Sequence, residues 1–152
     1  MLVSRHIIIG ALVAIILHLF FPAITWTYSL IIFLSSVLID VDHYVYYAVL
    51  KKDINFKRSY NWFMENREKA KKLKLTNSKN YQEAIFFLHG VEFMFILILL
   101  IFTSRLFAYV LIGIIIHMLL DFVDATIHGD SFKNKLSAVH THIRNKKRAR
   151  LS

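Results

Sequence analysis

Long apolar runs alternate with strongly basic stretches along this chain. Four runs, at 7–26, 28–50, 84–103 and 106–123, are each close to the ~20 apolar residues that a helix needs to cross a bilayer. They are continuously apolar rather than alternating, and unpaired backbone groups cannot face lipid, so all four are expected to be helical. Pro22 is expected to kink or end the first. The short link at 25–29 would make the first two spans a hairpin, and Ser104 with Arg105 would do the same for the other two. The fold class is thus an all-α integral membrane four-helix bundle with a cytoplasmic amphipathic helical loop. Within that loop SYNWFMENREKAKKLK reads as an amphipathic helix. Trp62 and Phe63 with flanking lysines suit a helix lying on the membrane surface, the alternative being a charged helix packed on the domain.

Composition sharpens this picture. Apolar residues make up 57% of the 152 and mean hydropathy is +0.51, while the absence of cysteine excludes a disulfide framework or thiolate metal site. The first run follows Arg5 but is too long for the apolar core of a signal peptide, so a retained span is expected. Net charge is +9, unevenly spread: ten basic residues fall between 51 and 79, seven between 133 and 150, and Arg105 alone lies on the opposite side. The bias of basic residues towards the inside puts both termini and the large loop in the cytoplasm, as in a multi-pass inner-membrane protein. Residues 1–132 would form the membrane domain, with the basic loop at 51–83, and 133–152 a basic tail. Loop and tail are expected to meet anionic lipid headgroups. A homo-oligomer remains open, and no fold signature supports nucleic-acid binding.

The polar residues inside the apolar runs carry the candidate chemistry. Of ten acidic residues, five fall in or at the ends of the spans: Asp40, Asp42, Glu92, Asp121 and Asp124. His43, His89 and His117 join them, with His6 and His128 at the borders. One charged residue at a span centre costs roughly 2.5–3.5 kcal/mol on insertion scales, so these groups should meet one another, or a cation, inside the bundle. His117, Asp121, Asp124 and His128 recur at i, i+4, i+7 and i+11, one stripe of one helix. Asp40 and His43 share a face; Asp42 points away from it unless the helix is distorted there. With both termini inside, all four spans bring these residues to the cytoplasmic side. His18 lies nearer the far side and is expected to be a hydrogen-bonded interior histidine, and His140 and His142 are expected to be solvated. Imidazole with carboxylate suits a divalent ion, Zn²⁺ first, then Mn²⁺ or Fe²⁺. The alternatives are a buried ion-pair network without metal and a proton or ion pathway.

SRHIIIG, IDVDH, a histidine opening the third span and HMLLDF together resemble the YdjM-like membrane-bound metal-dependent hydrolases, over most of the chain. On that resemblance His6 matches the family's N-terminal histidine. Asp40, Asp42 and His43 match its PDxDH element, with Ile39 in place of the proline, and His117 and Asp121 match its HxxxD element. LHGVEF supplies His89 and Glu92 where the family has a longer histidine motif. The family's layout is similar to that of zinc-dependent phospholipase C-type enzymes, which implies phosphoester hydrolysis.

The expected function is therefore a membrane-embedded metal-dependent hydrolase acting on an amphiphilic, phosphoester-like substrate at the cytoplasmic interface. His6, Asp40, His43, His89, His117, Asp121 and His128 form the candidate metal set. Asp42, Glu92 and Asp124 are the candidates for orienting ligands or serving as general base. The competing expectation is a non-catalytic metal-binding membrane protein, either a metal or proton carrier or an adaptor with a structural metal.

Overall fold

In a computed structural model, which describes residues 3–75, 83–128 and 136–150, every regular element is an α-helix. The first, α1 (Val3–Phe20), stops just before Pro22, which cannot supply a backbone N–H. His18 fastens the turn that follows. Its Nδ1–H donates to the Ile24 carbonyl at 2.7 Å, and its ring lies against Trp26 with centroids 4.0 Å apart.

Two helices that nearly run together come next, α2 (Trp26–Leu38) and α3 (Val41–Lys51). Between them the backbone tightens. Asp40, Asp42 and His43 donate to the carbonyls three residues back, of Val37, Ile39 and Asp40. This 3₁₀-like turn changes the angular offset between Asp40 and Asp42 from that of an ideal α-helix. Lys52 then takes a left-handed conformation, φ 52°, and ends α3.

The link to α4 (Phe56–Leu75) is held by Asp53, which accepts from both Arg58 Nε and Nη2 at 2.8 Å, from the Tyr47 hydroxyl and from the Asn55 N–H. Asn55 caps α4 by accepting from the Arg58 N–H at 3.0 Å. The Arg58 guanidinium, with Tyr47 and Asn55, holds the Asp53 carboxyl down at about 2. Trp62 and Phe63 turn towards α3: Trp62 lies 5.8 Å from the Tyr47 ring, and Phe63 meets His43 edge-on at 5.5 Å. The aromatic face of this helix thus meets α3. Lys79 lies outside the described residues, as do Lys133 and Lys135 of the tail.

The last three helices are α5 (Val91–Ile101), α6 (Leu106–His128) and α7 (Ala138–Arg150). The bent unit Trp26–Lys51 and the helix Leu106–His128 are long and apolar enough to cross a membrane, whereas the apolar parts of the other two, Arg5–Phe20 and Val91–Ile101, are shorter. The third run is therefore helical over much less than the expected 84–103. Its first part is occupied otherwise. The Leu88 N–H donates to Asp42 Oδ2 at 3.2 Å, and Gly90 is extended where the helix begins.

The bundle is organised around α2, which packs most extensively on α6 and α1, while α5 packs on α6. Two apolar clusters fill it, Ile39, Leu97, Ile114 and Met118 in one, and Ala14, Ile24 and Ile32 in the other. Small residues permit the closest crossings. A Cβ on Gly113 would collide with the Ile32 carbonyl and the Ser35 hydroxyl, and one on Gly10 would stand 2.6 Å from Ser36 Oγ. Large apolar side chains such as Ile8, Leu12, Leu19, Phe95, Leu99 and Leu119 point outward, while His6, His89, His117 and Ser36 are among the most deeply buried.

The helix α7 is tied to the segment before α5. Glu83, buried, pairs with Arg144 and Arg148, and Asn145 bonds its backbone in both directions. Glu92 accepts from the Ser137 hydroxyl and from the N–H groups of Ala138 and Val139, placing a carboxylate at the N-terminus of α7. His140 and His142 are exposed.

Candidate metal centre

Histidines and aspartates from four parts of the chain converge where the 3₁₀-like turn, the start of α1, the segment before α5 and the middle of α6 meet. Three groups have ligand atoms close enough to share an ion: His6, Asp40 and His117; Asp40, His43 and His89; and His89, His117 and Asp121.

At the centre the Nε2 atoms of His89 and His117 stand 3.1 Å apart. Asp40 Oδ1 is 3.6 and 3.5 Å from them, and Asp121 Oδ2 is 3.8 and 3.6 Å away. Two ligands of one tetrahedral ion with bonds of 2.0–2.1 Å are about 3.3 Å apart, so these separations leave room for one shared metal ion.

The outer hydrogen bonds settle which ring nitrogens point inward. His117 Nδ1 faces the Ser36 carbonyl at 2.8 Å, and a carbonyl only accepts, so Nδ1 carries the hydrogen. His89 Nδ1 faces Asp42 Oδ2 at 3.0 Å and donates likewise. In their neutral forms both rings therefore direct Nε2 lone pairs at each other. Two lone pairs at this distance repel, and a cation between or beside them removes the conflict.

His6 is another buried imidazole at the cluster. It is 2% exposed and stacks on His117 with centroids 4.1 Å apart, yet neither ring nitrogen has a hydrogen bond. Its nearest carboxylates are Asp121, with Oδ1 3.6 Å from Nε2, and Asp40, with Oδ2 4.0 Å from Nδ1. Leaving a buried polar group unsatisfied costs about 1–3 kcal/mol, which metal coordination would recover.

Asp42 does not share Asp40's place. Its two oxygens divide between His43 Nδ1, at 3.0 Å, and His89 Nδ1 with the Leu88 N–H. It orients the His89 imidazole and stands beside that of His43. His43 sits at the rim, stacked on Phe86 at 4.0 Å, with Nδ1 3.5 Å from Asp40 Oδ1. The cluster is closed on one side and open on the other: His89 and His117 are wholly buried and Asp121 nearly so, whereas the Asp40 and His43 side chains are 25% and 22% exposed.

Glu92, Asp124 and His128 are not in any of the three groups. Glu92 is engaged with α7. His128, at the end of α6, donates from Nδ1 to the Asp124 carbonyl at 2.8 Å, and the same nitrogen is 3.3 Å from Asp124 Oδ1. Both lie on the stripe of His117 and Asp121, but seven residues of helix from Asp121 to His128 amount to about 10 Å along the axis. A shared face is not a shared level. Ser36 was missed by sequence reasoning because it acts through its backbone carbonyl. The neighbouring small residues at 35–36, 10 and 113 were the only trace of the close packing there.

Comparison of the chain with protein-family models, with curated proteins and with solved structures finds no match.

Proposed function

We propose that the chain is a four-span membrane protein whose His/Asp cluster holds a divalent metal, Zn²⁺ foremost with Mn²⁺ or Fe²⁺ as the other options, and hydrolyses an amphiphilic phosphoester at the cytoplasmic interface. The observation that carries the metal is the pair of imidazoles, His89 and His117, each committed at Nδ1 and facing the other at Nε2. The motif likeness to the YdjM-like hydrolases supports the reaction type, and it rests on the motifs alone.

Four spans fit the depth of the cluster. His6 lies 14 residues from the end of α1, Asp40 14 from the start of α2, His89 12 from the end of α5 and Asp121 15 from the start of α6. At about 1.5 Å per residue each strut is roughly 18–22 Å long, so all four reach one level from one far side. The outward apolar side chains along these struts suit lipid. The basic residues of α4 and α7 favour the cytoplasm for the near side.

A bound divalent cation would supply Lewis acidity towards a phosphoryl oxygen and would lower the pKa of water. The chain supplies the rest. His89, His117, Asp40 and Asp121, with His6, hold the charge; Asp42 and the Ser36 carbonyl fix the two ring orientations. The half-open side at Asp40 and His43 admits substrate. This opening favours catalysis over a structural metal, whose site would be closed.

The test is metal content of the purified protein beside hydrolysis of a panel of lipid phosphoesters. Stoichiometric metal with turnover of a panel member is expected. Metal without turnover would leave the non-catalytic reading, and absence of metal would remove both. Orientation is checked by cysteine labelling at Lys57, Arg105 and Lys146, with only position 105 expected to react from outside intact cells.

A further inference from the structure

Beside the cluster lies a groove of about 350 Å³, bounded by α3 on one wall and by the segment before α5 on the other. Val45, Tyr46, Val49 and Leu50 line the first wall, and Ile85 and Phe87 the second. The residues recur at i+3, i+4, i+7 and i+8 from Asp42, so one face of α3 runs from the cluster along the groove. None of these six side chains is charged. Asp42 is the exception in the lining, and it is the residue that bonds His89 at the cluster.

The groove is open along its length. Val45, Val49, Leu50 and Phe87 are each half exposed or more, and a volume of this size is at the lower end for small-molecule sites. Its chemistry therefore changes once, from hydrocarbon to a carboxylate beside the imidazoles. A molecule that matches it has an apolar tail and a polar end that reaches the candidate centre.

We propose that this groove holds the hydrocarbon chain of the substrate, a single alkyl or isoprenoid chain whose phosphate end lies at the cluster. The inference rests on the hydrolytic reading for the identity of the head, and the groove adds the tail. Continuity with the cluster through Asp42 selects this occupant. The open side lets a chain enter from the bilayer without leaving the apolar phase.

The experiment uses the full-length protein in nanodiscs and dodecyl phosphate carrying a mid-chain diazirine. After irradiation, labelled positions are mapped by mass spectrometry. Labelling on α3 between Val45 and Leu50 and at Phe87 is expected to exceed several-fold that at Leu119 of α6, which is similarly exposed. Val45→Trp, which fills the groove, should lower the α3 and Phe87 labels several-fold with metal content and the Leu119 label unchanged. Val49→Trp repeats the test seven residues from Asp42, so that loss of metal in one variant does not decide the matter. Equal labelling of Val49 and Leu119, or groove labels that persist in both tryptophan variants, overturns the proposal. Labelling needs no turnover. Groove labelling with no hydrolysis of any panel member would retire the hydrolytic reading and keep the groove, and hydrolysis without groove labelling would do the reverse.

Discussion

His89 and His117 face each other across 3.1 Å, Nε2 to Nε2, after each has given its Nδ1 hydrogen to an acceptor outside the cluster. Neither ring is free to turn. Both are wholly buried, and flipping either would break its outer bond. A metal ion and an additional proton are the two cations that could stand there, and they differ in what removal of a carboxylate does.

With a metal, His117→Ala or Asp121→Asn should lower the bound ion below a tenth of the wild-type content in purified protein. His18→Ala should leave it near wild type, because His18 serves the α1–α2 turn through the Ile24 carbonyl. Elemental analysis of the three variants decides. Equal content in all three would mean that the ion, if any, is held elsewhere.

Asp40 and Asp42 should separate in the same assay. Asp40→Asn removes a carboxylate that stands within 3.6 Å of both central nitrogens and should abolish binding. Asp42→Asn weakens the acceptor for His89 but takes no oxygen from the central set. Loss of such an outer partner typically costs about 10–100-fold in metal affinity or activity. Metal titration with a competing chelator measures both. The reverse ranking would show that Asp42 is the ligand.

The separation of these two aspartates was partly legible in the sequence. Two residues apart, they cannot share a face of an ideal helix, and the chain meets the conflict with a 3₁₀-like turn and with distinct roles. The i, i+4 spacing of His117 and Asp121 was equally plain. What lay out of reach was contact without a local signature. Glu92 reads as a member of the polar cluster three residues from His89, yet its partners are backbone N–H groups and a serine more than forty residues away. His128 has the right helical phase and lies outside the three ligand groups. The third apolar run reads as helix from its composition, but residues before Val91 are drawn off by Asp42, a long-range bond that hydropathy does not register.

Gly113 tests whether the close α2–α6 crossing serves the cluster. Alanine in a helix interior is normally better than glycine by about 1 kcal/mol. Here the added carbon would meet the Ile32 backbone carbonyl, which cannot rotate away, so the clash should win. Gly113→Ala is expected to destabilise by about 1–3 kcal/mol, and Gly113→Val by more. Because His117 lies one turn further along α6 and bonds the Ser36 carbonyl on α2, metal affinity should fall with stability. Thermal unfolding and metal titration should move together; a stable Gly113→Val with full metal would show that the helices can separate without disturbing the cluster.

The link between α3 and α4 gives a prediction in pH. Asp53, held by Arg58 and by the Tyr47 hydroxyl, has its carboxyl lowered from 3.8 to about 2. A carboxyl whose folded value is depressed contributes stability above its unfolded value and loses it as pH falls through the folded one. The docking of α4 on α3 should therefore be intact above about pH 4 and weaken progressively towards pH 2. Trp62, which rests on Tyr47, reports it, in a Trp26→Phe background that leaves one tryptophan. Its emission should shift to the red over that interval in the parent protein. Asp53→Asn has no charge to hold Arg58 at any pH, so its emission should already be red-shifted at neutral pH and change little on acidification. If Asp53→Asn matches its parent at neutral pH and titrates along the same curve, the group that loosens α4 is not Asp53, and the Tyr47–Asp53–Arg58 link does not hold the helix in place.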